Sequence, residues 1–138
     1  MNTSELLHLF NQKLRLFTKE LNEILQEFDL YASQWTILYT LHERGKMTQT
    51  EIWQYLKVEA PTTTRTLVRM EKNGWIRRKA GSDKRERMVE LTEKATQQIP
   101  LILDTVKKCE DRFLHKLSNA EQIKLHEFLS KLDLERDE

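Results

Sequence analysis

The 138-residue sequence is poor in the residues that break or bridge a chain: three glycines, two prolines and one cysteine. So few Gly and Pro residues exclude a Gly-rich phosphate-binding loop and any long flexible linker. The single Cys109 has no intrachain partner for a disulfide, as expected for a chain kept in a reducing cytoplasm. No apolar run approaches the roughly 18 residues of a membrane span. The first residues also lack the charged-then-apolar-then-small layout of a secretory leader, so the expectation is a cytoplasmic protein with no membrane partner. Hydrophobic residues are scarce as well, at 38% against 33% charged, a balance too polar for a large private core. It points to long helices whose apolar stripes are covered by a second chain.

The charge is distributed unevenly. Lys and Arg number 23 and Asp and Glu 22, yet nine of the cations fall between Pro61 and Arg87 among only three acids. That stretch carries +6 and the remainder −5. A basic segment within an acidic protein is the footprint of a polyanion partner; a merely solvated charged face is the competing reading of the cluster by itself.

Periodicity orders the elements. Leu6, Phe10, Leu14, Phe17, Leu21, Leu25 and Phe28 recur at steps of three and four and predict one amphipathic helix over 5–28. Ser33 is a candidate N-cap for a second helix with Trp35, Leu38 and Leu41 inward, ending at Gly45. Thr48 and Glu51 form a capping box that opens a short helix with Ile52, Tyr55 and Leu56 on its apolar side. A further helix starts at Pro61, where a missing N–H costs nothing, and stops at Asn73-Gly74. Two short strands, 75–80 and 87–91, follow around Gly81-Ser-Asp-Lys84, a hairpin with a basic tip. Thr92 caps a long helix with Ile99, Ile102, Val106, Cys109, Phe113 and Leu117 on one side and a kink expected at Pro100. Ser118 and Glu121 make a second capping box, opening a last helix with Leu125, Phe128, Leu129 and Leu132.

The fold class expected is mainly α with a small β-hairpin wing: a winged helix-turn-helix plus an arm of long helices. Within this single domain, residues 31–92 are expected to make up the lobe that binds DNA, and 1–30 with 93–138 a helical lobe for dimerisation. A major groove about 12 Å wide admits one helix, and a hairpin can reach the neighbouring narrow groove. At 100° per residue, Thr63, Leu67 and Met70 pack inward on the 61–73 helix. Arg65, Val68 and Lys72 point outward, with Thr62, Thr64 and Arg69 on the flanks. Hydroxyls and guanidinium forks on one face suit phosphate and base-edge contacts.

The run Leu67-Val-Arg-Met-Glu-Lys-Asn-Gly74-Trp-Ile-Arg-Arg78, then Asp83-Lys-Arg85, then Val89-Glu-Leu91-Thr92, resembles the multiple antibiotic resistance regulator (MarR) family of bacterial transcription factors. The resemblance extends over nearly the whole chain, and its most specific part is the Asp-x-Arg eight residues before Leu91. It implies that Arg85 inserts into the minor groove, that Asp83 orients it with Lys84 between them, and that the Thr62–Arg69 face is the recognition surface. It further implies a homodimer on an imperfectly palindromic stretch of double-stranded DNA, acting as a repressor released by a small aromatic effector. The sequence departs from the family pattern in a wing about one residue shorter and in Ala95, where glycine is common.

Other candidates carry less. Cys109 falls on an apolar stripe, whereas peroxide-sensing relatives hold their cysteine in the first helix, which has none here. His8, His42, His115 and His126 are scattered, and Asp111 with His115 supplies only two of the three or four ligands a zinc site needs. Trp35, Tyr39 and Trp53 are candidates for lining an effector pocket, with ordinary core packing as their alternative. No Ser/His/Asp grouping, paired carboxylates or phosphate loop supports an enzyme, so neither cofactor nor catalytic residues are expected. The rival from another class is a winged-helix module that docks a protein partner without touching DNA.

Overall fold

The computed structural model describes residues 1–81 and 86–135. Helix α1 (Thr3–Leu25) is capped by Asn2, whose Oδ1 accepts from the Glu5 N–H at 2.8 Å, and closes in a 3-10 turn at Gln26–Phe28. Helices α2 (Ala32–Arg44), α3 (Gln49–Leu56) and α4 (Ala60–Lys72) follow. Strands β2 (Ile76–Ala80) and β3 (Arg87–Leu91) lead to α5 (Glu93–Leu114) and α6 (Asn119–Ser130). A strand of two residues, β1 (Met47–Thr48), lies between α2 and α3. The sheet runs in the order β1-β3-β2, antiparallel throughout, with Met47 opposite Val89 and Arg78 opposite Val89 from the other side. This is the winged-helix arrangement expected from the sequence.

Most boundaries follow from caps. The Thr48 and Glu51 box is complete, with both bonds at 3.0–3.1 Å, as is the Ser118 and Glu121 box. Gly74 ends α4 at φ 82°, a left-handed conformation that side chains resist. The start of α2 differs from expectation. Ser33 lies inside the helix and is exposed; Tyr31 precedes it, and its N–H donates to Gln34 Oε1 at 3.0 Å. The Ala32 N–H is capped from another element altogether, by Asn22 Oδ1 of α1 at 2.7 Å. The helix therefore starts two residues earlier than a Ser33 cap would have it, and its first N–H is satisfied by a tertiary partner. Tyr55 also departs: it is exposed, with the Arg44 guanidinium 3.8 Å from its ring centre. An eight-residue helix offers the core one narrow stripe, which Ile52 fills. Helix α5 continues through Pro100.

One core joins arm and winged lobe. Leu21 and Leu25 of α1, Leu38 and Leu41 of α2, Leu67 and Met70 of α4, and Ile99 and Ile102 of α5 belong to the same buried cluster. Phe17 meets Phe113 with ring centres 4.9 Å apart, and Arg112 Nη2 reaches Glu20 Oε1 at 2.6 Å, fastening α1 to α5. Farther out the stripes lie bare. Leu6, Phe10 and Leu14 are exposed, and α6 has no buried residue.

Thr92 fastens the wing to the arm. Its Oγ1 donates to the Gly74 carbonyl at 2.6 Å and accepts from the Ala95 N–H at 3.2 Å. Thr92→Val keeps the shape and loses both bonds. It is expected to destabilise the fold by about 1–2 kcal/mol in urea denaturation.

Candidate nucleic-acid interface

Helix α4 owes its orientation to an inner face of Thr63, Leu67 and Met70, all buried. Burial of these three fixes what the opposite face presents: Thr62, Thr64, Arg65, Val68, Arg69 and Lys72 are all exposed. Arg65, Arg69 and Lys72 make no ion pair among the described residues. Arg65 Nη2 lies 3.4 Å from Thr62 Oγ1, leaving that hydroxyl's own proton uncommitted among the described residues. Thr64 donates its hydroxyl proton to the Ala60 carbonyl at 3.0 Å, so toward an outside ligand it acts first as an acceptor. Arg69 and Lys72 sit in the last turn, where the helix dipole favours positive charge.

The cations of the hairpin behave differently. Arg77 and Lys79 share Glu90 across the strands, at 3.6 and 2.8 Å, and the Lys79 ammonium holds the Glu90 carboxyl below its ordinary range. Arg78 turns inward. Its side chain is only 11% exposed, and Nε and Nη2 donate to Glu71 Oε1 at 3.3 and 3.0 Å. Its Nη1 donates to Gln49 Oε1 at 3.2 Å and its backbone N–H to Glu71 Oε2 at 3.0 Å. Three cations counted in the basic stretch are thus matched internally; of its other described cations, Arg65, Arg69 and Lys72 lie on α4 and Arg87 lies on β3, none in an ion pair among the described residues. The arrangement of Arg78 was readable in principle: strand alternation places it on the same face as Ile76, which is buried.

The hairpin arms stay paired to the Gly81 N–H, which donates to the Glu86 carbonyl at 3.0 Å. Asp83, Lys84 and Arg85, the wing residues singled out from the sequence, lie outside the described residues. At the wing's base, Lys94 closes the C-terminus of α4: its Nζ donates to the Asn73 carbonyl at 2.9 Å and stands 4.4 Å from the Trp75 ring centre. No sequence pattern announced that role.

The aromatic trio does not converge. Trp35 is buried one turn from the exposed Tyr39, with ring centres 6.1 Å apart. Trp53 instead lines an open groove of about 830 Å³ along the α3–α4 turn, beside Lys57, Val58 and Pro61. Cys109 is buried, and burial pushes its thiol above the ordinary range, away from the thiolate form. Asp111 Oδ1 is 3.3 Å from Lys107, and His115 Nδ1 lies 2.9 Å from the Arg112 carbonyl. No cluster of three metal-ligating side chains occurs among the described residues, and no helix among them is long and apolar enough to cross a membrane.

Residues 30–86 match the model of the MarR family. An uncharacterised HTH-type transcriptional regulator of Bacillus subtilis, YwoH, is 50% identical over 109 residues, covering 79% of this chain and 80% of that protein. The chain belongs to the MarR family. Solved MarR-family structures share its architecture. A cysteine-to-serine mutant of MarR from E. coli, complexed with operator DNA, superposes with a TM-score of 0.84 at 26% identity over 92% of each chain. Reduced AbfR bound to DNA gives 0.78 at 27% identity, covering 93% of this chain and 88% of that one.

Glu71 offers a test by acid. The Arg78 side chain, hydrogen-bonded to it, holds its carboxyl below the ordinary value. With the folded-state pKa depressed, the pair's contribution is present at neutral pH and is lost as the pH falls through that depressed value. The stability difference between wild type and Glu71→Gln is therefore expected to shrink steadily below about pH 4. Urea melts of both proteins across that range measure it.

Proposed function

We propose that this MarR-family protein is a sequence-specific DNA-binding transcriptional regulator, a ligand-responsive repressor that grips a palindromic operator as a homodimer. The observation that carries this reading is the outer face of α4. Thr62, Thr64, Arg65, Arg69 and Lys72 are exposed together, with no anion of the described residues spent on them. Guanidinium groups grip guanine edges or phosphates and hydroxyls contact either, so this face can read a major groove while α4 is held by its buried side. The resemblance adds the wing: Arg85 entering the minor groove, where narrow A·T-rich stretches concentrate negative potential, with Asp83 orienting it and Lys84 beside it. A module docking a protein would be expected to present an apolar, neutral face here; instead exposed Val68 shares the face with Arg65, Arg69 and Lys72. The family is one of regulators, and we assign the protein neither catalytic residues nor a cofactor.

The dimer reading has its own support. Leu6, Leu14 and Phe128 are exposed, the last at 60%. A twelve-residue helix such as α6 is marginal in water unless its apolar side packs. A second copy supplies identical stripes, so 1–30 and 93–138 act as the dimerisation lobe and 31–92 as the DNA-binding lobe. Two-fold symmetry then sets two α4 helices about 34–36 Å apart, one turn of duplex. A small aromatic effector would lower operator affinity by binding better to a dimer whose α4 helices are mis-spaced. The protein is expected to work in the cytoplasm.

Selection of bound fragments from a random duplex library tests DNA binding and gives half-site spacing in the same experiment; recovery of no enriched sequence counts against the proposal. Arg65→Ala and Arg85→Ala are each expected to weaken operator binding by about 1–3 kcal/mol. Where a phosphate contact is lost, the salt slope should also flatten by about one. Titration of operator duplex across a salt series reads both. Phe128→Glu should move the protein from dimer to monomer in sedimentation equilibrium, because a charge cannot be buried unpaired between the stripes.

A further inference from the structure

Arg78 stands in the most basic stretch of the chain yet faces away from solvent. Its guanidinium joins three elements: β2, which carries it; the last turn of α4, through Glu71; and the first residue of α3, through Gln49. Glu71 uses both oxygens, Oε1 on the side chain of Arg78 and Oε2 on its backbone N–H. That N–H belongs to the outer strand of the sheet, with no further strand to receive it.

We propose that Glu71, Arg78 and Gln49 form a clamp that sets the pitch of α4 against the hairpin, making Arg78 a positioning residue for operator recognition and not a DNA contact. The proposal rests on the reading of α4 as the recognition helix. A planar fork held at several nitrogens constrains angle as well as distance, which apolar packing between the same elements does not. A slip of β2 along α4 by one residue, about 3.3 Å, would break all four bonds. Base-edge contacts tolerate displacements of only about 0.5 Å, whereas attraction to phosphates is long-ranged and forgiving. Glu71 and Arg78 also cancel each other's charge, so the pair adds little pull on a polyanion. A loosened clamp therefore costs specific affinity and leaves non-specific affinity in place.

The experiment uses the full chain with Arg78→Lys and Glu71→Gln, titrated against the selected operator and a random duplex over a salt series. Arg78→Lys keeps the charge and loses the fork. It should lower operator affinity about tenfold while random-duplex affinity changes by less than about twofold and the salt slope is unaltered. Glu71→Gln removes an anion, which by charge alone would raise affinity for any DNA; operator affinity is nonetheless expected to fall. An unchanged operator-to-random ratio in both variants overturns the proposal. So does a parallel loss on both duplexes with a flattened salt slope in Arg78→Lys, which would make Arg78 a phosphate contact. Should either variant fail to fold, Gln49→Ala removes one bond of the four and should lower the operator-to-random ratio about threefold; an unaltered ratio there overturns the clamp. Hydrogen exchange judges the clamp without DNA: the Arg78 amide should exchange about tenfold faster in Glu71→Ala than in wild type, and equal rates overturn it. Wild-type protein that binds neither duplex while showing this exchange difference would sink the DNA reading and leave the clamp standing as a structural device.

Discussion

Burial of Thr63, Leu67 and Met70 is the constraint on which the candidate site depends. Leu67 and Met70 are fully enclosed, and a Leu→Ala or Met→Ala change in such a position typically removes 2–5 kcal/mol. Their enclosure leaves α4 one allowed rotation about its own axis, and that rotation decides which side chains meet solvent. The cationic outer face follows from the apolar inner one. Thr63 belongs to this account as well as the larger residues: it is buried too, and extends the inner face toward the start of α4.

Much of this was legible in the sequence because it is local. Capping boxes at Thr48 and Ser118, the Gly74 stop and the period of the long helices depend on residues three or four apart, and they stand where expected except at two ends: Phe28 falls in the 3-10 turn after α1, and Leu117 lies past the end of α5 at Leu114. What escaped depends on partners distant in sequence. The N-terminus of α2 is capped by Asn22, ten residues back and on another helix. Strand β1, with two residues, is too short to show alternation and exists because Val89 offers an edge to Met47. Tyr55 was expected inward by its spacing, but Arg44 supplies its face a cation outside the core.

The candidate site was legible in residue type and less so in allegiance. Counting charge put Arg65, Arg69, Arg77, Arg78 and Lys79 in one group, whereas the fold divides them. The cations of α4 remain without anions among the described residues, while those of β2 are committed to Glu71 and Glu90. The same division separates sequence reasoning from geometry: composition records how many cations a segment has, and only strand register records which of them are already paired. The wing residues Asp83, Lys84 and Arg85 still rest on resemblance alone.

The hydrogen bond from the Ala32 N–H to Asn22 has a mechanical side. A helix whose first turn is capped from its neighbour inherits that neighbour's tilt. Since Leu21 and Leu25, on either side of Asn22, are buried in the core that α2 shares, the joint between α1 and α2 is held by packing as well as by the hydrogen bond. A twist of α1 therefore reaches the first turn of α2 through one hydrogen bond and two buried leucines.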